Sequence, residues 1–274
     1  LVLPHIEDVN ARERTVDELP QAGAGRQIMT TQPHFVPDEP VRLNLAEGIS
    51  FQLRLVDCVG YPVEGAKGFT DETGPRMVRT PWNEEPIPFQ LAAEIGTRKV
   101  IAEHSTIGLV VVTDGSITDI QRDSYIEAEE RVIRELKELG KPFLVLLNTT
   151  KHEQRAVQEL AANLERRYGV KVIPVNCLEM TQSDLLGILR EVLYEFPVRE
   201  IGIDLPAWVE ELELDHWLHE QFLQVTNEAL QPVARLRDID GALSVIAQAE
   251  NAAGAKLTSM ELGTGTARIQ VTLA

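Results

Sequence analysis

Two cysteines in 274 residues, Cys58 and Cys177, are too few for a disulfide framework, and they show no Cys-x-x-Cys spacing. That excludes a disulfide-stapled secreted scaffold and suggests a reducing cytoplasm. No uninterrupted apolar run approaches about 18 residues, so no helix is expected to span a bilayer. The first residues carry no signal-peptide pattern. Positive charge is also scarce: 26 Lys and Arg face 43 Asp and Glu, for a formal net charge of −17. The basic residues form no tract, and so acidic a surface repels phosphate backbones, which excludes nucleic acid as a partner. Metal-ligand patterns are thin. His216 and His219 share a helix face, but no third ligand has matching spacing, and two solvated or partly buried histidines beside Trp217 are the favoured reading. No Ser-His-Asp or Cys-His arrangement stands out.

The chain does have apolar content, 43% of its residues, and length for roughly two domains. Residues 6–19 read as a charged helix, and 20–40 as a loop with an extended stretch. Residues 41–45 and 50–57 read as a hairpin joined at Glu47-Gly48. Residues 61–86 are dense in Gly and Pro and are expected to be irregular. Beyond a helix over 87–104, strand and helix signals alternate. Apolar runs at 107–113, 142–147 and 170–175 are separated by amphipathic segments at 125–139 and 153–168. A helix over 183–195 follows, with Ser183 read as its N-cap. Continuous apolar strands between helices predict a mostly parallel sheet covered on both faces. After Pro197 this alternation stops. Helices over 205–249 precede two short strands in 256–274. The expected division is a nucleotide-hydrolase-like domain over 1–203 and the start of a smaller α+β domain over 204–274.

The most informative run is 51–60, an apolar strand ending in Asp57-Cys58-Val59-Gly60. As a turn, Asp and Gly need no further reason. In phosphate-handling α/β folds the same corner places a carboxylate near Mg²⁺, and a glycine whose N–H approaches a γ-phosphate. Thr30 and Thr31 precede the hairpin. Their bland reading is β-favouring backbone; the sharper one is a hydroxyl that coordinates Mg²⁺ and senses the γ-phosphate. Asn148 ends the strand 143–147 where guanine-binding proteins carry Asn-Lys-x-Asp. Lys151 stands in the Asp slot and cannot accept hydrogen bonds from guanine, so adenine or weak base discrimination is expected. A polar strand end is the competing reading. The carboxylates at Glu84-Glu85 and at Glu127, Glu129 and Glu130 read as solvated charge runs. Asp114-Gly115-Ser116 is either a turn or a lining of the cleft beyond the strand ends. A Gly-x-x-x-x-Gly-Lys-Ser/Thr loop is missing, and the chain opens on Leu1. It is therefore read as a piece of a nucleotide-dependent switch protein whose phosphate cradle lies upstream.

The runs 18–21, 28–31, 55–61, 74–77, 80–82, 85–89, 93–101, 103–108, 123–138 and 193–198 resemble the stage IV sporulation protein A family. The likeness covers most of 1–240. It implies an α/β fold with a switch-type P-loop (TRAFAC GTPase-like) sheet covered by helices, followed by part of a smaller α+β domain. It implies an ATPase of endospore-forming bacteria that uses ATP and Mg²⁺ and self-assembles into the basement layer of the spore coat. The expected partners are further copies of itself, a small amphipathic membrane-anchor peptide and other spore coat proteins. The expected place is the mother-cell cytoplasm, peripheral on the outer forespore membrane. By position, Asp57 would be the Mg²⁺-associated acid, Thr30 and Thr31 the switch and sensor threonines with Thr31 also a metal ligand, and Gly60 and Asn148 nucleotide contacts. The alternative is a non-catalytic assembly scaffold on a relic nucleotide fold.

Overall fold

The structure, a computed structural model, describes residues 2–17, 34–46, 49–71, 74–80, 83–213, 216–261 and 264–273. It divides into two compact units, Leu1–Ile188 and Leu189–Ala274.

In the first unit, helix α1 (Val9–Asp17) precedes an antiparallel hairpin of β1 (His34–Ala46) and β2 (Ile49–Asp57). The hairpin matches the alternation read at 41–45 and 50–57. Residues 61–86, expected to be irregular, instead hold two small hairpins. One pairs β3 (Thr70–Asp71) with β4 (Gly74–Pro75), and the other pairs β5 (Met77–Thr80) with β6 (Asn83–Pro88). These strands have two to six residues and mostly exposed or half-exposed side chains, so they leave no period to read.

Helix α2 (Phe89–Lys99) ends in a π turn, Val100–His104, and leads into a three-stranded parallel sheet. Its strands are β7 (Gly108–Thr113), β8 (Phe143–Asn148) and β9 (Val172–Val175), in that order. They alternate with α3 (Ile126–Glu138), α4 (Arg155–Tyr168) and α5 (Gln182–Tyr194). Ile133 and Leu136 of α3 and Val157, Ala161 and Leu164 of α4 pack with Val110, Val112, Val145 and Leu147 in one core. β8 is central and buried from 143 to 147, which is why its sequence is an unbroken apolar run. Gly140 and Gly169 close α3 and α4 at φ of +62°, a conformation only glycine adopts cheaply. The N-cap of α5 is Thr181, not Ser183. Thr181 N donates to Asp184 Oδ2 at 2.8 Å, and Asp184 N donates to Thr181 Oγ1 at 3.2 Å, a reciprocal capping box.

In the second unit, β10 (Glu200–Asp204) runs parallel to β12 (Thr266–Leu273), which pairs antiparallel with β11 (Ala252–Glu261). Residues 200–204 thus pair within this second unit. Helices α6 (Ala207–Glu210), α7 (Trp217–Leu230) and α8 (Ile239–Ala247) complete it. Its core, built on Phe222, Ile239, Ile246 and Ile269, shares no residue with the first.

Candidate functional site

β2 delivers Asp57 to its last position, where the side chain is exposed. Three residues on, Gly60 has φ of +82°, and a Cβ there would meet open space. Glycine is needed for the backbone conformation, and the space beside it is clear for a ligand. Tyr61 then turns inward to 8% exposure. Its hydroxyl donates to Glu135 Oε2, and the Arg131 guanidinium lies 4.0 Å from its ring centroid. Burial, and then the bond to Glu135, push the Tyr61 phenol above its ordinary range. Arg131 also donates to Glu94 Oε2 at 3.0 Å, so the residue after the glycine is tied to both α2 and α3. Cys58 is a half-buried thiol whose pKa desolvation pushes up, so it stays protonated at neutral pH.

Residues 56–61 line one side of a cavity of about 470 Å³, and residues 108–112 of β7 line another. Five consecutive residues of a strand can line a cavity only along its backbone edge, because side chains alternate between faces. That edge of β7 has no strand partner among the described residues. On the sheet face carrying Leu109 and Val111 these two are 40% and 58% exposed, while their register partners Leu144 and Leu146 are buried.

A second set of polar groups gathers just past the ends of β7, β8 and β9. Thr149 is fully buried, and its hydroxyl donates to Asp114 Oδ2 at 2.7 Å. Ser116 Oγ donates to Asp114 Oδ1 at 2.6 Å. Burial alone would raise the Asp114 pKa, but the bonds from Ser116 and Thr149 outweigh it and hold the carboxyl below its usual value. Asn148 Oδ1 accepts from Cys177 N at 3.1 Å, joining the segments that follow β8 and β9.

Of the residues singled out from the sequence, Asp57 and Gly60 thus share one cavity wall. Asn148 lies with the Asp114 group and does not line that cavity. Thr30 and Thr31 lie outside the described residues. An exposed carboxylate at a strand tip and a glycine facing open space fit the Mg²⁺-and-γ-phosphate corner; the lysine-bearing phosphate loop is not in the sequence. Among the described residues no group of three or more His, Cys, Asp or Glu gathers as a metal cage. His216 Nδ1 accepts from Leu218 N as a helix cap, and His219 Nε2 lies 2.6 Å from the Val209 carbonyl oxygen, so both serve structure.

One correction concerns Glu129. It is 4% exposed, not a solvated charge. Arg122 grips it with two guanidinium nitrogens, and Tyr168 Oη donates to its Oε1 at 2.6 Å. Asp114-Gly115-Ser116 was legible as a possible cleft lining, but Thr149 gave no signal, since its role depends on neighbouring strand ends.

A family model described as stage IV sporulation protein A, ATPase domain, matches residues 1–197, and its middle-domain counterpart matches 198–274. The stage IV sporulation protein A of Bacillus subtilis (strain 168) is 49% identical over 271 residues. That of Clostridioides difficile (strain 630) is 44% identical over the same length. Each alignment covers 99% of this chain and 55% of the relative, so the chain spans about half the length of the curated relatives it matches. No solved structure matches it.

Proposed function

This chain belongs to the stage IV sporulation protein A family, and from that premise we propose that the intact protein is a switch-type P-loop ATPase whose turnover drives its own assembly into the basement layer of a spore coat. The gap between β2 and β7 carries the reading. One more parallel strand beside β7 would pair the edge left open among the described residues, and a helix following that strand would cover Leu109 and Val111. The turn between such a strand and helix is where backbone amides gather to hold phosphate. Asp57 would help to hold Mg²⁺ there, and the Gly60 N–H would face the γ-phosphate. Thr30 and Thr31 supply the sensing and Mg²⁺-binding hydroxyls. Mg²⁺ held by these residues would supply neutralisation of the charge that builds on the transferred phosphoryl group. Lys151, in a position where guanine needs a carboxylate acceptor, favours ATP over GTP.

In this reading the nucleotide state governs the order of residues 20–40 and 61–86, and those segments alter the assembly surface. The partners are further copies of the chain, a small amphipathic peptide that anchors the layer to the outer forespore membrane, and other coat proteins. The protein works in the mother-cell cytoplasm, peripheral to that membrane. No helix among the described residues is long and apolar enough to cross a membrane.

The test is filament formation by the full-length protein, followed by sedimentation, with ATP or with a non-hydrolysable analogue. Filaments with ATP only are expected. Equal assembly with both rejects hydrolysis as the trigger, and assembly without nucleotide favours the relic-scaffold alternative.

A further inference from the structure

We propose that Asp114 and Thr149 are positioning residues that hold residues 148–151 as the base-side wall of the ATP site. The inference rests on the reading that ATP binds at this domain.

In an open parallel sheet the ligand sits beyond the carboxyl ends of the strands, and the segments leaving those strands form its walls. Here three such segments are cross-tied. The Thr149 hydroxyl donates to Asp114 Oδ2 at 2.7 Å and accepts from Lys151 N at 3.0 Å. Ser116 Oγ donates to Asp114 Oδ1 at 2.6 Å and accepts from Thr150 N at 3.1 Å. Asn148 Oδ1 accepts from Cys177 N at 3.1 Å. The positions of Asn148, Thr149, Thr150 and Lys151 are therefore set by two side chains anchored on one carboxylate after β7, and by one amide after β9.

Core filling does not require this chemistry. Valine has nearly the volume of threonine, and a fully buried hydroxyl beside a carboxylate stabilises only while both stay hydrogen-bonded. What the ties fix is backbone at the rim of the sheet. Asn148 and Lys151, the two residues of the segment that bear on base choice, flank the buried Thr149 anchor. The Asp114 carboxyl, held below its usual range, stays an anion and so a constant double acceptor at neutral pH.

The test is made in the full-length protein, reading ATP turnover and equilibrium binding of Mg-ATP. Thr149→Val is expected to raise both KM and Kd for ATP about tenfold, the equivalent of one lost buried hydrogen bond. The kcat should stay within about twofold, because no reacting atom is touched. Thr149→Ser should restore KM. Asp114→Asn combined with Thr149→Val should be no worse than the more damaging single change, since both act through the same ties. A fall in kcat in proportion to the folded fraction, with KM and Kd unchanged, reduces the cluster to structure and overturns the proposal. If the unsubstituted protein neither binds nor hydrolyses ATP, the ATPase reading itself fails, and this proposal with it.

Discussion

Among single residues, the sharpest contrast is between two carboxylates that look alike in sequence. Asp57 is exposed at the tip of β2, where a charge is cheap to keep. Glu129 is buried and held by Arg122 and Tyr168, where a charge is tolerable only because it is paired. The two should respond oppositely to removal. Asp57→Ala is expected to bring ATP turnover of the full-length protein to background; unchanged turnover would take Asp57 out of the site. Glu129→Ala leaves the Arg122 guanidinium without its buried partner and should cost about 3–5 kcal/mol of stability, read by urea unfolding. A loss under about 1 kcal/mol would mean that water replaces the carboxylate. Alternation and spacing made Asp57 visible in the sequence, because a strand ending in Asp-x-x-Gly is a local pattern. Glu129 sits among Glu127 and Glu130 in a run that reads as solvent-facing, and only the packing of α3 against α4 shows otherwise.

The elements themselves were legible in proportion to how completely they are buried. β8 is covered from 143 to 147, so each of those positions is apolar and the strand announces itself. α3 and α4 carry one apolar stripe each and end in Gly140 and Gly169. The hairpins β3–β4 and β5–β6 bury little and pass for loop. The start of α5 was misplaced for a physical reason. Thr181 and Ser183 are both good caps, and what decides between them is Asp184, three residues after Thr181, closing the box with its backbone N–H. Thr181→Ala is therefore expected to cost about 1 kcal/mol. Ser183→Ala, inside the first turn of the helix, should change stability by less than about 0.5 kcal/mol. Thermal denaturation of the two variants side by side distinguishes them, and equal losses would refute the assignment.

Taken whole, the chain is two units with separate hydrophobic cores, and each core is closed by its own sheet and helices. Hydrophobic stabilisation scales with apolar surface removed from water, and no residue contributes to both clusters, so each unit should carry its own cooperative transition. The tryptophans offer a way to watch one of them alone. The chain has three, Trp82, Trp208 and Trp217, and only the last two lie in 189–274. In a Trp82→Phe background, indole fluorescence reports the second unit, while far-UV circular dichroism reports both. Ile246→Ala, at a fully buried position of the second core, should lower the fluorescence midpoint by an amount equivalent to about 2–5 kcal/mol. Leu147→Ala, equally buried in the first core, should leave that midpoint in place while shifting the dichroism transition. If Leu147→Ala moved the fluorescence midpoint together with the dichroism, the two cores would be unfolding as one unit, and the domain division read from their packing would have no thermodynamic counterpart.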